Sequence, residues 1–361
     1  MEEKSRQSFF RKQLLLWNDK HNKRQMPWKG EKDPYKIWLS EIILQQTRVE
    51  QGLAYYNRFI TTFPTVHHLA KAPETKVFKL WEGLGYYTRC KNLIATAKYI
   101  STDLKGKFPG TYEDILLLKG VGPYTAAAIG SFAFNIPKAV VDGNVFRVLS
   151  RYFGVDKPID STDGKKLFSL LAASLLDKKK PGIYNQAIMD FGAVICKPQL
   201  PLCSECLLKK NCIAFNENRV SVLPVKEKFI KKKSRWFYYL IAEYKGYQYV
   251  RMRGPNDIWE NLYEFILIEE EGPLEIDKLF LSRKIKTLLG NVKTDVISVS
   301  EVYKQQLTHQ TIYGQFIRLK LHKPADLPGY KMLSKNETGH LPFPKFINQY
   351  LQDKIVSLNL F

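Results

Sequence analysis

The sequence predicts a multidomain protein, all-helical over its first part and α+β over its second, and three observations carry that reading. From Asp33 to about Phe215, helical stretches follow one another between Gly, Pro and Asp breaks, without alternating strands. Between Asn216 and Arg235 the composition turns polar and basic, with Pro224 and a lysine run, as a linker does. Beyond it lie short aromatic and β-branched runs, WFYYLIAEY, YQYVRMR, LYEFILIEE, TDVISVSEVY and GQFIRLKLH, which read as strands of a sheet. The expected boundaries are therefore a helical domain at 1–216, a linker at 217–235 and a sheet domain at 236–361.

A chain of 361 residues with 45% hydrophobic and 25% charged residues can bury two cores. The opening MEEKSRQSFFRKQLLLW is acidic, then basic, with only a short apolar run, so neither a secretory signal nor a membrane span is expected. That places the protein in the cytoplasm, and on the nucleoid if its source is bacterial. The net charge of +21 is unevenly distributed: residues 1–225 carry a surplus of +14, 226–235 one of +5, and 236–361 only +2. Charge concentrated on one domain and its linker suits a phosphate backbone, although a solubilising surface has the same composition.

In chain order, Asp33-Pro34 reads as N-cap and first helical residue, and the helix that follows keeps its apolar period as far as Pro64. It carries Glu41, with Ile37 and Trp38 one turn before and Leu44 and Gln45 one turn after. A carboxyl on so apolar a face is desolvated, holds its proton more tightly and suits proton donation. Further on, Gly120 and Gly122 in LKGVGPYTA form a tight turn before a small-residue helix, where backbone N–H groups can meet a phosphate. Twenty residues later comes Asp142 in VDGNVFRVLSR, placed to cap a helix.

Four of the five cysteines fall within seventeen residues as Cys196-x6-Cys203-x2-Cys206-x5-Cys212. Such clustering in a reducing compartment points to a metal rather than disulfides, and four thiolates suit zinc or a 4Fe-4S cluster equally. Cys90 stands apart and reads as a small buried residue. In the last domain, EIDKLFLSRKIKTLLG is the expected helix.

These blocks carry a family resemblance. The cysteine spacing resembles the iron-sulphur loop of the endonuclease III superfamily, and the Gly hairpin with its downstream aspartate resembles the helix-hairpin-helix glycosylases of that superfamily. Pro27-Trp28, DPYKIWLSEIILQQTRVE, LWEGLGYY, NQAIMDFGAVIC and the blocks above extend the match, so that nearly the whole chain resembles the MutY-type adenine DNA glycosylases. The resemblance implies a helix-hairpin-helix domain with a 4Fe-4S loop (196–212) and a Nudix-like α+β domain that helps read 8-oxoguanine. The implied activity is base excision repair: hydrolysis of the glycosidic bond of adenine opposite 8-oxoguanine or guanine in duplex DNA, by a monomer. Glu41 then protonates the flipped adenine and Asp142 stabilises the cationic sugar, with Tyr124 and Asn144 supporting them. Tyr124 stands where the family's lyases carry a lysine, so no Schiff base is expected. Arg24, Met26, Trp28, Leu44, Val49 and Gln186 match the adenine pocket, Gln46 and Tyr86 the wedge that holds the duplex open, and Thr47 and Leu84 positions near the opposite base. Gly120 and Gly122 match the DNA-binding hairpin, and Cys196, Cys203, Cys206 and Cys212 the cluster ligands.

Two departures bear on function. The sheet domain has no REx2Ex2E-like Nudix box, so nucleotide hydrolysis is not expected there. Where the family often has Phe-Ser-His at a lesion-contacting tip, this chain has Leu307-Thr308-His309, keeping a hydroxyl at Thr308 and the imidazole at His309 but losing the aromatic ring. A bifunctional lyase and a catalytically silent DNA-binding module with a redox cluster are the competing readings. Tyr124 opposes the first, and the pairing of Glu41 with Asp142 the second.

Overall fold

The computed structural model describes residues 3–227 and 232–353; residues 228–231 of the expected linker lie outside the described residues. The helical part comprises α1 (Glu3–Lys20), α2 (Pro34–Leu44), α3 (Val49–Thr62), α4 (Val66–Lys71), α5 (Glu74–Trp81), α6 (Thr88–Thr102), α7 (Tyr112–Leu116), α8 (Pro123–Phe134), α9 (Gly143–Phe153), α10 (Thr162–Leu175), α11 (Pro181–Val194) and α12 (Ile213–Asn216). Then follow β1 (Lys233–Tyr244), β2 (Tyr247–Met252), β3 (Tyr263–Glu264), β4 (Ile266–Glu270), α13 (Ile276–Leu281), α14 (Arg283–Leu289), β5 (Thr294–Val299), β6 (Tyr303–Gln306), β7 (Gln310–Leu321), β8 (Lys331–Ser334), α15 (Lys335–Gly339) and α16 (Lys345–Leu351). No helix among the described residues is long and apolar enough to cross a membrane.

Two expected helices are each divided. The one expected from Pro34 to Pro64 ends at Leu44 and restarts at Val49, because Gln46 takes a left-handed backbone with φ of 55°. The turn folds α3 back onto α2. Gly52 permits the approach, since a Cβ there would lie 2.7 Å from Leu44 Cδ2. The helix expected over residues 275–290 breaks at Ser282, whose extended backbone and side chain cap α14 by accepting from Ile285 N.

The chain forms two compact units that interleave in sequence. One holds the described residues up to Lys71 and those from Asn92 to the linker. One core of this unit gathers Phe10, Leu14 and Trp17 of α1, Val148 and Tyr152 of α9, Phe168 of α10, and Tyr184 and Phe191 of α11. Helix α8 is built of small residues, with Ala126, Ala127, Ala128 and Gly130 all buried, so α2 and α11 can pack close against it.

The other unit holds Ala72–Lys91 and the described residues after the linker. Its mixed sheet centres on β1, which runs parallel to β7 from Lys233↔Gln310 to Glu243↔Lys320 and antiparallel to β2 and β4. Strands β5 and β6 pair with the far edge of β7. Leu279, Ile285 and Leu289 of α13 and α14 pack into one side of the core. Tyr350 of α16 stacks on Phe316, and Phe346 packs against the same ring at a tilt. Segment Ala72–Lys91 is tied to this unit by Lys79 Nζ donating to Leu341 O (2.9 Å), Phe343 N donating to a Glu82 carboxylate oxygen (2.8 Å), and the Lys91–Glu260 ion pair.

Candidate active site

Glu41 sits on α2 with only 6% of its surface exposed, flanked by buried Trp38, Leu39, Ile42 and Ile43. Helix α2 begins where it does because Pro34 occupies its first turn and the Asp33 side chain accepts from Tyr35 N at 2.9 Å. Asp142 is the N-cap of α9, accepting from Val145 N at 2.8 Å and from Asn144 Nδ2 at 2.7 Å. Both carboxylates line one cavity of about 540 Å³, and Tyr124, at the second position of α8, lines it with them and hydrogen-bonds Glu41.

Their environments push the two carboxyls to different extents. Burial raises Glu41 to about 7; the Tyr124 hydrogen bond opposes this and the Asp142 charge adds to it. Burial also raises Asp142, but Val145 N–H, the Asn144 side chain and backbone, and the Arg147 charge all pull it back toward the ionised form. Burial, with the charges of Glu41 and Asp142, holds the Tyr124 hydroxyl protonated far above neutrality, as a donor. Near pH 7 the cavity thus offers a half-protonated acid at Glu41, a second carboxyl at Asp142 whose hydrogen bonds and the Arg147 charge favour its anion against burial, and a hydroxyl. The combination suits proton donation to a leaving group on one side and stabilisation of a cation on the other.

The same cavity is lined by Arg24, Met26, Trp28, Leu44, Gln46, Thr47, Val49, Asn144 and Gln186, so the structure brings together most of the site residues expected from sequence. It also includes Gln45, Phe146 and Met189, which sequence reasoning did not single out. A further omission is Asp190, fully buried on α11. It accepts from Asn22 Nδ2 (2.9 Å), Arg24 Nη1 (2.8 Å), Lys29 Nζ (3.1 Å) and Gln186 Nε2 (3.0 Å). One carboxylate thereby fixes two cavity side chains. Its position one turn after Gln186 was the available signal.

The remaining expected positions lie elsewhere. Gly120 turns the hairpin between α7 and α8 with φ of 79°, where a Cβ would lie 2.7 Å from Asn92 Cβ, and Gly122 caps α8. Leu84, Tyr86, Thr308 and His309 belong to the sheet-containing unit. Leu84 is buried, Tyr86 is 45% exposed with φ of 48°, and the Tyr86 and Thr308 hydroxyls hydrogen-bond each other. Thr308 and His309 form the tip of the β6–β7 hairpin, closed by Leu307 N donating to Gln310 O at 2.8 Å. Gln46 and Tyr86, the two expected wedge residues, thus share a backbone conformation that costs energy for non-glycine residues and concentrates at functional sites. Cys90 is buried.

Cys196, Cys203, Cys206 and Cys212 line one small cavity with Arg151, Ile195, Leu202 and Phe215. Burial pushes Cys206 up to about 12 and Cys212 to about 11, and raises Cys196 as well, so these thiols would need a cationic centre to ionise. Among the described residues no three His, Cys, Asp or Glu side chains gather as a single-ion site. Four cysteines lining a common space are donors of the type that thiolate-bound metal centres use. Two buried arginines of α9, also missed in the sequence, brace this loop. Arg147 Nε donates to Cys196 O (2.7 Å) while its Nη2 reaches Gly192 O (2.7 Å) and Asn144 Oδ1 (2.8 Å). Arg151 donates to Lys197 O (2.7 Å), Pro198 O (3.1 Å) and Leu223 O (3.0 Å).

Comparison with known proteins places this arrangement in a class. Residues 39–171, which include Glu41, Tyr124 and Asp142, match the family described as HhH-GPD superfamily base excision DNA repair protein. Among solved structures, a thermostable thymine-DNA glycosylase shares 30% identity with a TM-score of 0.55, covering 59% of this chain and 98% of its own. Endonuclease III in a non-covalent DNA complex shares the fold, at 20% identity and a TM-score of 0.51 over 60% of this chain and 99% of its own. The helical part is that of a helix-hairpin-helix base-excision DNA glycosylase, followed here by a β-rich C-terminal domain. An adenine DNA glycosylase of Buchnera aphidicola (subsp. Baizongia pistaciae) is 35% identical over 317 residues, 87% of either chain. The chain belongs to the adenine DNA glycosylase family.

Proposed function

We propose that the protein removes adenine placed opposite 8-oxoguanine or guanine in duplex DNA, and that it hydrolyses the glycosidic bond without cutting the strand. The observation that carries this reading is the pair of buried carboxyls on one cavity: Glu41 raised to about 7, and Asp142, also raised by burial but with Val145, Asn144 and Arg147 opposing that rise. A flipped adenine enters the cavity between Trp28, Leu44 and Val49. Glu41 donates its proton to the base at N7, which makes adenine a better leaving group and draws positive charge onto the sugar. Asp142 balances that charge as the bond breaks, and water completes the hydrolysis. Tyr124 donates to Glu41 and supplies no amine, so the sugar forms no Schiff base.

Gln46 and Tyr86 serve as wedges, Thr47, Leu84, Thr308 and His309 address the opposite base, and Gly120 and Gly122 present backbone N–H groups to phosphate. The β-rich domain is read as Nudix-like and as the reader of the oxidised base. Cys196, Cys203, Cys206 and Cys212 would hold a 4Fe-4S cluster. With four protein thiolates and no open position, it would supply structure to the loop rather than chemistry to the cavity. The test is product analysis on a duplex with one adenine opposite 8-oxoguanine. Free adenine with strand breakage only after alkali is expected; breakage without alkali would replace this reading with a lyase.

A further inference from the structure

Glu41 lines two cavities. The second, about 200 Å³, is walled by Asn18, Lys29, Ser40, Phe132 and Ile183. Glu41, Trp28 and Gln186 line both, so the two cavities adjoin at these three residues. In the mechanism above, a flipped base fills the front cavity and drives water from that side of Glu41. The rear space holds several waters by volume, and polar atoms to engage them are at hand in the Ser40 hydroxyl, the Asn18 amide and the Lys29 ammonium. Ser40 donates to Ile37 O at 2.8 Å, which leaves its oxygen as an acceptor.

We propose that this rear cavity is a hydration chamber for the catalytic carboxyl, keeping one side of Glu41 in contact with water while the base occupies the other. The inference rests on Glu41 being the general acid. Its physical content is a limit on desolvation: a carboxyl sealed on both sides would bind its proton still more tightly and become a poorer donor. Water behind it keeps the group near the working pH in the loaded enzyme. The charged or titratable side chains sharing a cavity with Glu41 are Arg24, Lys29, Glu31, Lys32, Tyr124 and Asp142. Substitutions at Ser40 and Ile183 alter none of them.

The experiment uses full-length protein and single-turnover adenine release across about pH 5–9, a range set about two units either side of Glu41's midpoint near 7. Ser40→Val fills the chamber with apolar atoms. Ile183→Trp covers its mouth from a position that is 51% exposed and tolerant of bulk. Both should raise the midpoint of the alkaline limb by about half a pH unit or more and lower the acid plateau, while Ile183→Ala should move the midpoint down. An unmoved midpoint in Ile183→Trp, with substrate binding and melting temperature intact, overturns the proposal while leaving Glu41 as the acid. Glu41→Gln is run alongside: wild-type-like release by that variant would instead remove the reading of Glu41 on which the inference rests.

Discussion

The catalytic cavity and the cysteine-lined cavity lie at the two ends of one arrangement organised by α9, and both bury ionisable groups, but they treat the cost of burial in opposite ways. In the cysteine loop, Arg147 and Arg151 supply donors to Cys196 O, Lys197 O and Pro198 O, and the four cysteines line one small cavity. Each of these carbonyls has a fixed partner, and the result is architecture. In the catalytic cavity, Glu41 receives one hydroxyl, stands near the negative charge of Asp142, and is left with a proton that is easily moved. Burial with partners rigidifies, whereas burial with too few partners makes a group reactive. Arg147 joins the two regimes, since the same guanidinium holds Cys196 O and the Asn144 that donates to Asp142.

The contrast can be broken first at its structural end. Cys203→Ser removes one sulphur donor from a loop anchored to the helical core by Leu202, Leu207 and Leu208, and the segment around residue 203 should lose its order together with any bound iron and most DNA affinity. Iron content, visible absorption and binding to duplex DNA check this; an iron-loaded, tightly binding variant would refute the structural role. At the reactive end, Asp142→Asn keeps the cap but removes the charge, and single-turnover excision should fall by about 100- to 10,000-fold, as expected for loss of a group that acts in the transition state. Undiminished excision would show that the cation is balanced elsewhere.

Arg147→Gln probes the joint. Losing a buried guanidinium with four hydrogen bonds should cost roughly 2–4 kcal/mol of stability. It should also slow excision at unchanged substrate affinity, because Asn144 is released from one side. Denaturant melts paired with single-turnover rates would separate the two effects, and a variant that is destabilised yet excises at the wild-type rate would confine Arg147 to the loop. The smallest effect concerns Glu41 itself. Its folded pKa of about 7 lies above the ordinary carboxyl value of 4.5, so its contribution to stability is fully present below the unfolded value and is lost as pH rises through about 7. Glu41→Gln should therefore stabilise the protein by about 1–3 kcal/mol at pH 8 and by little at pH 5. Equal melting temperatures for the two proteins at pH 8 would mean that the carboxylate is better solvated than its burial suggests.

How much of this was legible in the sequence depends on whether the determinant is local. Asp33 and Asp142 as caps, Pro34 as a first helical residue, and the apolar face around Glu41 all follow from neighbours within one turn, and the structure has them. The break at Gln46 was not legible, because no Gly or Pro marks it. What ends α2 there is the folding back of α3, for which Gly52 leaves room. Asp190, Arg147 and Arg151 were missed for a related reason: beside any local partners, each bonds groups distant in sequence, 45 or more residues away for the arginines and up to 168 away for Asp190. The association of Ala72–Lys91 with the sheet rests on Leu341, Phe343 and Glu260, contacts that no local pattern announces. It also bears on experiment: a fragment ending at residue 235 would strip that segment of all three partners, so substitution of Thr308 in the full chain is the cleaner probe of opposite-base reading.

The division of labour between the two carboxyls is tested most directly by the pH dependence of adenine release from a duplex with adenine opposite 8-oxoguanine, measured under single-turnover conditions for wild type and Glu41→Gln. The wild type should be fastest on the acid side and fall through a midpoint near 7, the value burial gives Glu41, while Glu41→Gln should bind the duplex and release adenine about 100- to 10,000-fold more slowly, without that midpoint. A Glu41→Gln variant that excises at the wild-type rate, or a wild-type profile flat through pH 7, would contradict the assignment of Glu41 as the acid.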